Sequence, residues 1–175
     1  MKSFPIGKLF GLQISFMPLA LIGTLIVWIG FSWFTITRID LPAMQAVPMG
    51  FVAAFLHWTF ELIHCLGHAY AARRSGYPMT GIKFGAYSLF ALTQYPSDEV
   101  ALPPSLHIRR ALGGPIISGL VSLLLYLILP FWPGEWFWLG LFALLENLFI
   151  YTLQVFLPLG FNDGSTIWRN LRKKY

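Results

Sequence analysis

Four ionisable side chains recur at helical spacing inside one long apolar segment of the chain. His57, Glu61, His64 and His68 stand at positions i, i+4, i+7 and i+11, which places them on one face of a helix with 3.6 residues per turn. Ionisable groups within a membrane are costly and seldom face lipid. We therefore expect these four to face the interior of a helical bundle, where they can pair with one another, with a metal ion or with water.

His64 and His68 have the i, i+4 spacing that directs two imidazole rings towards one zinc ion. The spacing alone is also compatible with two different roles. The two histidines can be buried and held by hydrogen bonds, or one of them can be an axial ligand of haem or another pigment, although the sequence has no C-x-x-C-H attachment motif. A di-iron carboxylate site needs two Glu-x-x-His pairs, and Glu61 with His64 forms the only one in the sequence.

These residues belong to an unusually apolar chain. Of its 175 residues, 57% are hydrophobic and 11% are charged, and the mean hydropathy is +0.66, whereas soluble domains have about 45–50% apolar and about 25% charged residues. This composition excludes a disordered chain, a nucleic-acid-binding arm and an ordinary cytosolic enzyme. Cys65 is the only cysteine, so an internal disulfide is excluded as well. The composition indicates an integral membrane protein.

Four apolar stretches are each long enough to cross about 30 Å of hydrocarbon as a helix. They cover residues 16–36, 48–72, 111–131 and 136–157. Between the second and third stretches, residues 80–93 combine strand-forming side chains with Gly81 and Gly85, which favours a small β-hairpin at the membrane surface. We predict an all-α integral membrane protein, a single transmembrane domain over residues 1–175 with four transmembrane helices and this hairpin.

The basic residues indicate how the four spans are oriented. With four spans, both termini and the loop 73–110 lie on one side, which the positive-inside rule places in the cytoplasm. The positive charge is thus explained by topology, and we expect no nucleic-acid partner; the basic tail within 163–175 can contact anionic membrane lipids. Arg38 falls on the other side, and the predicted cytoplasmic side holds Lys2, Lys8, Arg73, Arg74, Lys83, Arg109, Arg110, Arg169, Arg172, Lys173 and Lys174.

Five short motifs follow one another along most of the chain. They are FGLQISFMP at 10–18, HCLGHA at 64–69 with AARRSG at 71–76, TGIKFG at 80–85, ALGGPIIS at 111–118 and PLGFNDG at 158–164. Together they resemble the site-2 protease family of intramembrane zinc metalloproteases. The resemblance implies that an aspartate after the last core span joins the two histidines on zinc, and Asp163 matches that position. Two imidazoles and a carboxylate are a sound ligand set for zinc with a fourth place open.

The resemblance also shows which chemical groups the chain lacks. Cys65 stands where the family has its catalytic glutamate, so the sequence reads HCLGH in place of HExGH. That glutamate is a general base, and removing a positioned base typically costs ~10²–10⁴ in rate. Ser118 and Val155 stand where the family has asparagines. We therefore predict a degenerate homologue that is proteolytically inactive, can retain a metal at the three ligands, and binds other integral membrane proteins as a subunit of a membrane complex.

Two further hypotheses are open at this stage. In the first, the chain is an active intramembrane zinc metalloprotease in which Glu61, one helical turn before His64, replaces the missing base. If Glu61 is not a base, it can orient a ligand histidine through a hydrogen bond without binding the metal itself. His57 can have the same role, or it can be an alternative metal ligand. In the second, the chain is a pigment- or haem-binding membrane subunit that uses its intramembrane histidines. If Cys65 had been engineered in place of the family's glutamate, the replacement of the family's asparagines by Ser118 and Val155 would still be unexplained.

Polar residues also follow one face of the predicted fourth span. Asn147, Tyr151 and Gln154 stand at i, i+4 and i+7, and we expect them to form interhelical hydrogen bonds facing the second span. Glu146 is costlier to bury, so we expect it to have a histidine or basic partner, or to lie near the membrane surface.

Overall fold

The computed structural model of the chain describes residues 3–172, and Lys2, Lys173 and Lys174 of the predicted basic side lie outside the described residues. The structure is mostly helical, with four helical segments long and apolar enough to cross a membrane, which confirms the predicted fold class. The segments are α1 (Leu19–Arg38), α2 (Ala43–Arg74), α3 (Pro104–Ile128, extended by a 3₁₀ turn, Leu129–Phe131) and α4 (Trp136–Glu146, continued to Phe156). A short amphipathic helix, α5 (Asp163–Leu171), follows.

The small sheet has four strands, two more than the predicted hairpin. The predicted pair is present as β3 (Gly81–Phe84) and β4 (Ala91–Gln94). The chain before α1 adds β1 (Phe4–Leu9) and β2 (Leu12–Phe16), so that β2 runs parallel to β3 and the strand order is β1-β2-β3-β4. Strand β2 directly precedes the first span, so its apolar residues merge with those of the span in the sequence. Its partner β3 is distant along the chain, and the sequence therefore predicted only the pair β3 and β4.

Helix α2 lies at the centre of the bundle and packs against α1 and α3. Its predicted polar face is inside, because His57, Glu61, His64 and His68 are all buried. One small residue brings α2 and α3 together: a β-carbon at Gly67 would lie 2.5 Å from the Gly113 carbonyl oxygen. Without side chains at this crossing, the backbones of α2 and α3 approach closely enough for α2's histidines to reach atoms of α3.

The fourth span is not a regular helix throughout. After Glu146 it becomes a π-helix, Asn147–Thr152, and then a 3₁₀ turn, Leu153–Phe156. Asn147 is fully buried and its Nδ2 donates to the Ser118 carbonyl (2.6 Å) and to Ser122 Oγ (2.9 Å), both on α3. Such π-helical turns are rare and often lie at functional sites, and this one faces the polar side chains of α2.

Candidate metal centre

The three predicted metal ligands meet at one point. His64 and His68 lie in the C-terminal half of α2, and Asp163 is the first residue of α5. The two Nε2 atoms are 3.0 Å apart, His64 Nε2 is 3.2 Å from Asp163 Oδ2, and His68 Nε2 is 3.3 Å from Asp163 Oδ1. In a tetrahedral zinc site with ligand distances of about 2.0–2.2 Å, neighbouring ligand atoms are about 3.4 Å apart. The three side chains are therefore spaced to hold a zinc ion.

The hydrogen bonds on the far side of the rings favour a cation between these atoms. His68 Nδ1 lies 2.8 Å from the carbonyl oxygen of Arg110, which can only accept, so this nitrogen carries a hydrogen. In a neutral imidazole Nε2 then holds a lone pair, and it faces the Asp163 carboxylate, which is also an acceptor. A proton or a metal ion between them would satisfy both atoms. The other ring is also held by a hydrogen bond, with His64 Nδ1 3.1 Å from Ser118 Oγ, a hydroxyl that can donate or accept. Such partners fix the orientation of metal-binding histidines.

Gly114 on α3 keeps the space beside both rings free. A β-carbon at this position would lie 2.6 Å from His64 Cε1 and 2.7 Å from His64 Nε2. The absence of a side chain at Gly114 therefore leaves room for the ligand rings themselves.

Asp163 is held in place by the end of the fourth span. Gln154 Nε2 donates to Asp163 Oδ2 at 2.6 Å, and Asn162 caps α5 by accepting a hydrogen bond from the Ser165 N–H. Burial opposes ionisation of Asp163, but His68 and His64 more than offset this and hold the pKa of its carboxyl well below its usual range. The aspartate is therefore a carboxylate at neutral pH. Gln154 was predicted only as part of a polar face, and its contact with Asp163 depends on how the chain turns after Phe156.

A cavity of about 300 Å³ lies beside the ligand set and includes Cys65 and Glu61 in its wall. Most of the remaining wall is apolar and aromatic, with Phe90 and Phe161 among its side chains. Cys65 is 2% exposed and also packs against the sheet side of the bundle, in one cluster with Ile82 and other apolar residues. A buried thiol thus occupies the position at which the HExGH pattern has its carboxylate.

Glu61 and His57 are close to the ligands but have other partners. Glu61 Oε1 accepts a 2.6 Å hydrogen bond from the Ala91 N–H of β4, and its Oε2 is buried without a hydrogen-bond partner among residues 3–172. The ring nitrogens of His57 contact Glu146 Oε1 (2.6 Å) and the Leu89 carbonyl (2.9 Å). Within the described part of the chain, the group of donor atoms lying within 4.8 Å of one another consists of His64, His68 and Asp163 and includes neither residue.

Comparison with known proteins supports the fold. No protein-family model and no curated protein sequence matches the chain. The structure is similar to that of the site-2 protease from Methanocaldococcus jannaschii, with a TM-score of 0.67 and 20% sequence identity over 97% of this chain and 71% of that one. At this identity the similarity shows the fold. The chain is an integral membrane protein with a site-2-protease-like fold.

Proposed function

We propose that this protein binds zinc at His64, His68 and Asp163 but does not cleave peptide bonds, and that it acts as a binding subunit in a complex with other integral membrane proteins. The observation that carries the proposal is Cys65. Its thiol lies in the cavity wall, at the position of the missing base, beside the three side chains of the ligand set. A bound zinc ion would supply a Lewis acid that polarises a carbonyl oxygen, but peptide hydrolysis also needs a base.

A thiol at this position is a poor substitute for the missing carboxylate. An unperturbed cysteine has a pKa of about 8.5 and is mostly protonated at neutral pH. Cys65 is 2% exposed and lies among apolar side chains, which offer a thiolate little stabilisation. The replacement therefore removes proton transfer while leaving the two neighbouring turns of α2, and the ligands they carry, in place.

The composition of the cavity wall supports the proposed binding role. Its wall is rich in apolar and aromatic side chains, including Tyr87, Phe90, Phe149 and Phe161. These suit an apolar segment of another membrane polypeptide better than a polar metabolite.

We place the end of the bundle that carries the sheet and the ligands on the cytoplasmic side. Arg73, Arg74 and the other basic residues of the described chain, except Arg38, lie towards that end. The same residues would contact anionic lipid headgroups.

One observation favours a second candidate, an active metalloprotease with Glu61 as its base. Glu61 lines the same cavity as the ligands, and its Oε2 has no hydrogen-bond partner among the described residues. Against this, the other carboxylate oxygen is fixed to the Ala91 N–H. The first candidate is preferred because this bond directs Glu61 towards β4.

The test compares the wild-type protein with Cys65→Glu, each purified in lipid nanodiscs, by metal analysis and by cleavage of a membrane-embedded peptide. We expect about one zinc per chain in both and no cleavage by the wild type. The matched control is Thr35→Val, a buried position on α1 away from the ligands. Metal-dependent cleavage by the wild type would overturn the proposal, and its loss in Glu61→Ala would establish the second candidate. A visible absorption band would indicate a haem or pigment instead.

A further inference from the structure

A second polar cluster lies in the bundle beside the metal ligands. It consists of His57, Glu61, Glu146 and Tyr151; the first two and Tyr151 are buried, and the Glu146 side chain is 9% exposed. His57 Nδ1 is 2.6 Å from Glu146 Oε1 and 3.1 Å from the Tyr151 hydroxyl. Placing so many ionisable groups inside a membrane is costly, and the ligand set does not use them. We therefore expect these side chains to hold another part of the chain in place.

The cluster holds two backbone groups of the turn between β3 and β4. His57 Nε2 donates to the Leu89 carbonyl, and the Ala91 N–H donates to Glu61 Oε1. Between these two groups lies Phe90, whose side chain lines the cavity and contacts the ring of Phe161, 5.8 Å away between centroids. Phe161 stands two residues before Asp163. The two side chains from α2 therefore fix the wall of the cavity that faces the loop carrying the third ligand.

The turn needs these partners because it enters the bundle. A β-carbon at Gly23 of α1 would lie 2.8 Å from the Ser88 carbonyl carbon, so the turn packs directly on the first span. Backbone groups in such surroundings must find partners within the protein. Residue 91 stands opposite Phe84 in the ladder, and its N–H points away from β3, towards α2. Glu61 thus supplies an acceptor that the sheet does not.

We propose that His57 and Glu61 form a latch that positions the turn Gly85–Phe90 and closes the cavity, and that Glu146 and Tyr151 orient His57 for this role. The latch goes beyond the proposed function, since it sets access to the cavity whether or not a metal is bound or a peptide is cleaved. It also explains why the fourth span carries Glu146 just before its π-helical segment and Tyr151 within it. The two walls of the cavity, one on the sheet and one on this segment, are joined through His57.

The native chain contains a reporter of cavity opening. Cys65 is its only cysteine, lines the cavity and is 2% exposed. The rate at which N-ethylmaleimide alkylates Cys65 in metal-free protein, followed by mass spectrometry, measures how often the cavity opens. We expect Glu61→Leu and Ala91→Pro each to raise this rate about tenfold or more, since each removes one hydrogen bond to a charged group. Proline at residue 91 deletes the N–H donor without touching Glu61, and edge strands tolerate it.

Three further variants make the result specific. Glu61→Gln removes the charge near Cys65 but keeps an oxygen that can accept from the Ala91 N–H, so it should react at close to the wild-type rate. The pair His57→Leu with Glu146→Leu removes both members of the buried pair, leaves no unpaired charge and should accelerate alkylation. Thr35→Val, whose hydroxyl bonds only within α1, should have no effect.

Equal rates in the wild type, Glu61→Leu and Ala91→Pro would overturn the latch. So would a Glu61→Gln rate as high as that of Glu61→Leu, because the effect would then come from charge on the thiol. A faster rate in Thr35→Val would mean that any loosening of the bundle exposes Cys65, which also refutes the proposal. The readout needs neither zinc nor proteolysis, so its failure is separate from failure of the proposed function.

Discussion

The close crossing of α2 and α3 makes Gly67→Ala a sharp test of how the site is built. A β-carbon at residue 67 would lie 2.5 Å from the Gly113 carbonyl oxygen and 3.0 Å from the Gly114 Cα. Both are backbone atoms on a long helix, so no side chain can move aside. Since a carbon–oxygen contact is comfortable at about 3.3 Å, the helices must separate by roughly 0.8 Å, and overpacking of this kind typically costs about 1–3 kcal/mol.

The separation should also weaken metal binding. His68 Nδ1 and the Arg110 carbonyl oxygen are 2.8 Å apart across the same crossing, and a shift of this size would stretch their hydrogen bond beyond its useful range. Loss of such an orienting partner typically reduces metal affinity about 10–100-fold. We therefore expect Gly67→Ala to lower both the free energy of unfolding and the zinc affinity.

The assay pairs zinc competition against a chromophoric chelator with denaturant unfolding in mixed micelles. Gly30→Ala on α1 is the matched control, because a β-carbon there has no heavy atom within 4 Å. Alanine gains about 1 kcal/mol over glycine through helix propensity alone, and the control measures this gain in the same protein. If Gly67→Ala and Gly30→Ala have equal stability and zinc affinity, the inferred crossing is wrong.

Three other outcomes follow from the same geometry. Gln154→Leu removes the donor to Asp163 and should lower zinc affinity about 10–100-fold with little change in unfolding, as measured by chelator competition. The pKa of Asp163 is held below its usual range, so zinc release on acidification should follow protonation of the histidines and not of this carboxylate; Asp163→Asn should lower the affinity and move the midpoint of release to higher pH, as measured by chelator competition across pH. Glu99→Ala leaves the buried Arg110, which stacks 3.5 Å from the Tyr95 ring, without its carboxylate, and should cost about 2–4 kcal/mol of unfolding free energy, whereas the exposed neighbour Asp98→Ala should have little effect.

The sequence was sufficient for whatever depends on local spacing. The four apolar spans and the buried face of α2 follow from composition and helical periodicity, and the pairing of His64 with His68 follows from i, i+4 geometry. Asp163 needed the family resemblance, because a lone aspartate before a glycine is equally typical of a turn.

Features that depend on long-range contacts were not predicted. Glu146 was expected to find a histidine or basic partner, but its choice of His57, 89 residues away, depends on how α2 and α4 cross. The π-helix at Asn147 forms where that side chain bonds α3, which no pattern within the fourth span indicates. The N-terminal strands were missed for the same reason, since β2 finds its partner only after two spans have been traversed.

The parallel pairing of β2 with β3 has a consequence for how the chain enters the membrane. The two strands flank an excursion of two helices, α1 and α2, and they can meet only if the chain crosses the bilayer and returns. A chain in which one of these helices failed to insert would leave β2 and β3 on opposite sides of the bilayer, with β2 unpaired along one edge. Closure of the sheet therefore requires α1 and α2 to insert as a pair, and the sheet lies beside the helix that carries His64 and His68. All of its strands precede the segment bearing Asp163 in the chain.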